Sequence, residues 1–247
     1  GAGGSTKDFT YDVVRTIKEE IGLETAAHLT CINASIEETH EVIQSYVDLG
    51  VKRLVALRGD VPGAGAYAPH ANGYAYADSL VEGIKQHFPT MHVSVAGYPE
   101  KHPEAVSLEA DLEHLKRKVD AGADCVITQY CFDTDKVIRF IEKARNIGIT
   151  VPIIPGIVTI NNFKQVVNFS ERCGASVPGW LHSLFDGASD EAAAADIATY
   201  VAAEQSRLLL EQGVDEFHFY VLNKAEIVSS VCDVMGVKAQ TNKVSAE

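Results

Sequence analysis

No long apolar run occurs in this chain of 247 residues. Nothing approaches the roughly 20 uninterrupted apolar residues that a bilayer-spanning helix needs, and no basic-then-apolar leader is visible. The sequence therefore predicts neither a membrane span nor a signal peptide. Positive charge is scarce. Lys and Arg number 21 against 34 Asp and Glu, a formal net charge of −13, which argues against the basic stripe that a nucleic-acid surface requires. Cysteine is sparse as well. The five, Cys31, Cys125, Cys131, Cys173 and Cys232, are odd in number, form no CxxC pair and fall in no Cys/His cluster of zinc spacing. This excludes a disulfide framework and predicts no metal site. Most lie in apolar surroundings such as Asp124-Cys125-Val126-Ile127, the pattern of reduced core thiols in a cytoplasmic protein.

What the chain does contain is a repeating alternation. Short apolar runs at 26–31, 53–57, 92–96, 125–129, 153–157 and 217–222 read as buried parallel strands. Segments of helical period lie at 8–21, 36–49, 76–87, 107–121, 134–146 and 161–172, with a long Ala-rich helix near 189–212 and a last one near 224–235. Asp133 and Thr134 can cap one helix, while Gly50, Gly122, Gly148 and Gly213 stand where helices should stop. Strands alternating with helices and no polar linker predict one α/β domain over 1–247 with a parallel sheet. An open doubly wound sheet and a (β/α)8 TIM barrel both fit. A barrel needs eight strands and six are visible, so the expectation is a barrel whose first strands precede Gly1; without them long sheet edges would stay unpaired.

In both architectures ligands bind at the carboxyl ends of the strands. That rule selects Arg58-Gly59-Asp60, Gly97-Tyr98-Pro99-Glu100-Lys101-His102, Thr128-Gln129-Tyr130 and Tyr220-Val221-Leu222-Asn223-Lys224, with His28 inside the first run. Such residues suit a planar, heteroatom-rich ligand. Each has a structural alternative. Asp60 can cap the turn before Pro62, His28 can be a satisfied core histidine, and Arg117 and Lys118 can form a solvated helix face. Gln129 can meet core partners instead, since an unpaired buried amide costs about 1–3 kcal/mol. The opening glycines imitate a dinucleotide fingerprint, but Thr6 stands where the last glycine of G-x-G-x-x-G belongs. Backbone amides there, Ala2 included, can still touch a phosphate or ribose.

Several blocks together resemble the methylenetetrahydrofolate reductase family over nearly the whole chain. They are Gly1-Ala2-Gly3-Gly4-Ser5-Thr6, Ala27-His28-Leu29-Thr30-Cys31, Leu57-Arg58-Gly59-Asp60 and Tyr98-Pro99-Glu100-Lys101-His102-Pro103, followed by Leu115 to Ala123, Ile127-Thr128-Gln129-Tyr130, Ile154-Pro155-Gly156-Ile157 and Phe217-His218-Phe219-Tyr220. The resemblance implies a (β/α)8 barrel holding FAD noncovalently, reduced by NADH or NADPH, with 5,10-methylenetetrahydrofolate then reduced to 5-methyltetrahydrofolate in one-carbon metabolism. It implies FAD contacts at Ala2, His28, Arg58, Gly59, Asp60, Tyr76 and Ala77, and further ones at Tyr98, His102, Asp111, Arg117 and Lys118. It places Asp60 beside both flavin and pterin, Gln129 and Gln165 at the folate, and Phe169 against nicotinamide or folate. Lys224 takes the place of a basic residue facing the folate; where relatives carry arginine, lysine keeps the charge but not the planar fork.

The implied chemistry is consistent with these residue types. Reducing the methylene bridge passes through a 5-iminium cation, which a carboxylate such as Asp60 would stabilise. Opening the ring needs a general acid at N10. The family's glutamate for that step lies in a Phe-Glu-Phe-Phe-Pro-Pro type block expected upstream of Gly1, and Glu100 lies elsewhere in the pattern. A non-catalytic FAD- or folate-binding barrel fragment is therefore the alternative. A Schiff-base aldolase would need a buried strand lysine, and the predicted strands contain none. The resemblance also points to the bacterial type without a regulatory domain, generally homo-oligomeric and tending to use NADH.

Overall fold

The computed structural model describes residues 7–61 and 67–237. Its strands are β1 Ala26–Thr30, β2 Arg53–Leu57, β3 His92–Gly97, β4 Cys125–Tyr130, β5 Ile153–Val158 and β6 His218–Tyr220, hydrogen-bonded in chain order. Register is parallel from β1 to β4 and again between β5 and β6, with Thr30 opposite Leu57 and Val158 opposite Tyr220. The helices are α1 Lys7–Arg15, α2 Ile36–Asp48, α3 Ala77–His87, α4 Leu108–Asp120, α5 Thr134–Asn146, α6 Phe163–Cys173, α7 Gly179–Asp186, α8 Glu191–Glu211 and α9 Glu226–Val234. The result is an α/β fold on a parallel sheet. Most elements fall within two residues of their sequence-predicted bounds. The exception is α1, which gives way to a π-helical turn at Thr16–Ile21.

The helix α7 was not foreseen. Its opening Pro178-Gly179 reads as a turn signal, but Leu181 is fully buried and anchors the short helix by its apolar side. Other helix starts follow from local chemistry. Ser35 and Glu38 form a reciprocal capping box on α2, and the side chains of Ser107, Asn162 and Asp190 accept the backbone N–H three residues on at α4, α6 and α8.

The chain forms two compact units: unit 1 is Gly1–Gly97, Ala105–Thr128 and Glu142–Ile153, and unit 2 is Tyr98–Glu104, Gln129–Ile141 and Ile154–Glu247. In unit 1 the core is aliphatic: Ile43, Leu54, Leu80, Val81, Ile84, Val93, Leu115 and Ile149 are fully or almost fully buried. Each contributes about 1.5–3 kcal/mol by leaving water. A packing constraint marks α3, where a Cβ on Gly83 would overlap the ring and hydroxyl of Tyr74. That hydroxyl lies 2.7 Å from His40 Nε2. In unit 2 the core is more aromatic, joining Tyr130, Phe132, Ile157, Val158, Val166 and Leu181 to Ala198, Val201 and Ala202 of α8.

All five cysteines are free thiols, and Cys31, Cys125 and Cys131 are buried. Burial pushes the Cys31 thiol up to about 11 and that of Cys131 up to about 12. Among the described residues no helix is long and apolar enough to cross a membrane, and no group of three His, Cys, Asp or Glu side chains could hold a metal ion.

Candidate functional site

In unit 1 the sequence-predicted residues gather on β1, β2, the start of α3 and one face of α4. The β1–β2 ladder continues past the strands, Ile32 donating to the Arg58 carbonyl at 2.9 Å, so Arg58, Gly59 and Asp60 emerge at the carboxyl end of β2. Asp60 is exposed. Gly59 holds φ +94, and a Cβ there would lie 2.5 Å from Ile32 Cγ2; only glycine fits. The Arg58 guanidinium sits 4.7 Å from the Tyr67 ring centre, and Tyr67 lies 5.5 Å from the ring of Tyr76, itself exposed just before Ala77 opens α3. Tyr67 donates to the Ala75 carbonyl, which ties this aromatic ledge to the helix start. No spacing rule links Tyr67 to Arg58, and sequence reasoning missed it.

Helix α4 carries the charges. Asp111, Leu115 and Lys118 are spaced i, i+4 and i+7, which sets them on one face; Asp111 and Leu115 are buried. Lys118 is half-buried, and its ammonium donates to the Ala96 carbonyl of β3 at 2.5 Å. Desolvation lowers its pKa from the ordinary 10.5 to about 8, opposed by Asp111 and Asp78. A depression of that size corresponds to on the order of 3 kcal/mol for keeping the charge. Arg117 is exposed and pairs with Asp78 at 3.5 Å. His28 is an exposed residue of β1 that also lines a shallow hollow with Thr10, Thr30, Thr39 and Tyr46. Desolvation there holds its pKa below 6.5. Ala2 lies outside the described residues.

In unit 2 the predicted residues lie among rings. Tyr98 and His102 meet edge to face at 4.7 Å. Gln129, half-buried, accepts from the Tyr130 backbone N–H at 3.0 Å through its own side-chain oxygen. The Tyr130 hydroxyl lies 2.9 Å from that of the fully buried Ser170. Burial pushes this phenol up to about 12 despite the Ser170 bond. The rings of Tyr130 and Phe169 stack at 6.3 Å, and Tyr220 approaches Tyr130 at 6.1 Å. Gln165 and Phe169 sit one turn apart on α6, both exposed. Lys224 is exposed at the end of a turn in which its N–H bonds the Val221 carbonyl at 2.9 Å. Leu222 and Asn223 both take left-handed φ there, +49 and +61; for Leu222 this costs on the order of 1 kcal/mol. The Tyr130–Ser170 pair was also missed, because residues 40 apart meet only through the fold.

The class defined by this fold is that of parallel α/β proteins that take small ligands at the carboxyl ends of their strands. Comparison narrows the class. The family model described as methylenetetrahydrofolate reductase matches residues 1–236. The 5,10-methylenetetrahydrofolate reductases of Pectobacterium carotovorum subsp. carotovorum and Escherichia coli (strain K12) are each 41% identical over 239 residues, covering 96% of this chain and 78% and 79% of theirs. Methylenetetrahydrofolate reductase (NADH) 1 of Zea mays is 35% identical, over 99% of this chain and 43% of its own. Among solved structures, an uncharacterized protein from Clostridium thermocellum that binds two copies of 5-methyl-5,6,7,8-tetrahydrofolic acid superposes with a TM-score of 0.56 at 14% identity, covering 96% of this chain and 92% of that one; this likeness concerns the fold alone. The chain belongs to the methylenetetrahydrofolate reductase family and is an oxidoreductase.

Proposed function

We propose that this chain holds FAD, accepts a hydride equivalent from NADH or NADPH, and reduces 5,10-methylenetetrahydrofolate to 5-methyltetrahydrofolate. The observation that carries the flavin reading is the ammonium of Lys118, held on the Ala96 carbonyl at the end of β3 and partly desolvated there. A desolvated cation beside backbone carbonyls suits an anionic group such as a flavin pyrophosphate, so the residues present fit the cofactor. Lys118 would bind that charge. Arg117 and Asp111 would flank it, while His28, Arg58, Gly59, Tyr76 and Ala77 hold the remaining polar edges. In unit 2, Tyr98 and His102 would offer further flavin contacts, Phe169 a ring face for nicotinamide or pterin, and Gln129, Gln165 and Lys224 polar contacts to the folate.

Bound FAD supplies the hydride carrier between the two substrates. Asp60, exposed at the end of β2, would place negative charge beside the iminium cation of the folate. The names of the curated relatives support the folate substrate, and that of the maize relative supports NADH. A (β/α)8 barrel fold, in a protein that is cytoplasmic and homo-oligomeric, completes the reading.

The test is anaerobic absorbance at about 450 nm, where oxidised flavin absorbs. Bleaching by NADH and recovery on adding methylenetetrahydrofolate is the expected result. Protein that takes up no FAD would overturn the reading, and flavin that bleaches without reoxidation by folate would leave the NADH half-reaction alone and overturn the folate step.

A further inference from the structure

One buried carboxylate of unit 2 has no part in the function proposed above. The Glu100 side chain is only 11% exposed, and its oxygens accept from Lys136 Nζ at 2.5 Å, from the Ser176 backbone N–H at 2.8 Å and from the Ser176 hydroxyl. Burial pushes its pKa up, but these bonds outweigh it and hold the carboxyl below the ordinary carboxylate value. Lys136 comes from α5, and Ser176 from the segment after α6.

Glu100 sits in a turn closed by the Lys101 N–H on the Tyr98 carbonyl at 3.1 Å, with Pro99 in its second place. The next residue, Lys101, takes φ +93, a left-handed backbone that lysine does not adopt unless held. Its ammonium bonds the carbonyls of His102 and Pro103 at 3.2 and 3.4 Å. The other side of the turn is seated on Gly174, where a Cβ would stand 3.0 Å from Pro103 Cγ and 3.5 Å from the Lys101 carbonyl oxygen. The two rings that meet at 4.7 Å, Tyr98 and His102, flank this strained step on either side.

We propose that Glu100 is a positioning residue: its clamp on Lys136 and Ser176 holds Lys101 in the left-handed conformation and thereby sets the Tyr98–His102 pair for the flavin. This rests on the assignment of Tyr98 and His102 as flavin contacts. Glu100 touches neither cofactor nor substrate in this account. It acts through the backbone between the two rings.

The test compares apoprotein of the full chain carrying Glu100→Ala, Glu100→Gln, and Glu100→Ala with Lys101→Gly. FAD affinity is read by fluorescence quenching, together with the band shape of bound flavin and thermal stability without FAD. Glu100→Ala should weaken FAD binding about tenfold and alter the flavin band. Adding Lys101→Gly should recover most of that loss, because glycine adopts φ +93 without a clamp. A carboxylate that only stabilises the fold would lower the melting temperature and leave FAD affinity and band unchanged, which would overturn the proposal. So would a loss that Lys101→Gly fails to recover. Should Glu100→Ala not fold, Glu100→Gln decides: it keeps the shape and removes the charge, and unchanged FAD affinity would again overturn the clamp. Tyr98→Ala and His102→Ala separate the two claims. If they leave FAD affinity intact, the flavin assignment of the pair fails; if they weaken it while the Glu100 variants do not, the clamp alone fails.

Discussion

Helix α4 in unit 1 and helix α6 in unit 2 each carry candidate ligand residues beside buried positions, yet they use opposite chemistry. On α4 the apolar Leu112 and Leu115 are flanked by buried Asp111 and by Lys118, whose ammonium is partly desolvated. On α6 Val166 and Ser170 are buried while Gln165 and Phe169 stand exposed. A withdrawn charge must be prepared in the folded state, at a cost that a bound anion offsets. A neutral ring or amide can stay open to solvent with little effect on the fold. Charge preformed in one unit and ring faces left open in the other suit two kinds of ligand surface, one anionic and one planar.

The largest expected effect comes from reversing the α4 half of that contrast. Lys118→Met removes the desolvated charge but keeps the stem. Unfolding of the apoprotein by urea at pH 7 should show stability raised by about 1–3 kcal/mol, while FAD affinity, read by fluorescence quenching, falls about 30-fold. The opposite signs are the point: a fall in both quantities would mean that Lys118 is an ordinary structural cation.

The same lysine makes the contrast depend on pH. Its folded pKa is about 8 and its ordinary one 10.5, so between those values the unfolded chain binds the extra proton. Stability contributed through this group therefore rises from pH 8 to 10.5, and the full cost is present below 8. FAD affinity should run the other way, weakening above pH 8 by up to about tenfold per pH unit until the loss matches that of Lys118→Met, with Asp111, Asp78 and Arg117 the charges that face the amine. Titrations of FAD into wild-type and Lys118→Met apoprotein would be compared; equal slopes in the two would rule out Lys118 as the titrating group.

Much of this was legible in the sequence, for identifiable reasons. The strands of a parallel sheet are buried on both faces, so runs such as Leu54-Val55-Ala56 announce themselves by continuous apolarity, and the carboxyl-end rule then pointed to Arg58, Gly59, Asp60 and Gln129. Lys118 was legible by resemblance but not by physics, because its withdrawal depends on Ala96 and Asp111, which only the fold brings to it. Tyr67, Ser170 and Ser176 were not legible. Each matters through a partner distant in sequence, respectively Arg58, Tyr130 and Glu100, and no local period encodes such a meeting. Helix α7 was hidden because Pro178-Gly179 imitates a turn.

A smaller effect probes the aliphatic packing beneath the unit 1 cluster. Gly83 is inside α3, where glycine is unfavourable by about 1 kcal/mol relative to alanine, so propensity alone makes Gly83→Ala stabilising. The fold says otherwise, since the added Cβ would overlap Tyr74, whose hydroxyl meets His40. The overpacking term should win and lower stability by a net 1–2 kcal/mol, read by urea unfolding of the apoprotein. A gain in stability would show that Tyr74 can swing aside.

The smallest expected change in stability belongs to unit 2 and completes the contrast with Lys118. Phe169 is 46% exposed, and its ring stacks on Tyr130 at 6.3 Å. Truncating it to Ala removes half-solvated surface and one offset ring contact, so unfolding stability should change by less than about 0.5–1 kcal/mol. The functional cost should be larger than the structural one. With the ring face gone, the KM for methylenetetrahydrofolate or for NADH should rise about tenfold, while FAD affinity stays as in the wild type. Steady-state kinetics beside a flavin titration separates these terms. A Phe169→Ala chain that loses FAD in proportion to its KM change would mean that the open ring faces belong to the flavin, and the division between preformed charge and open rings would have to be redrawn.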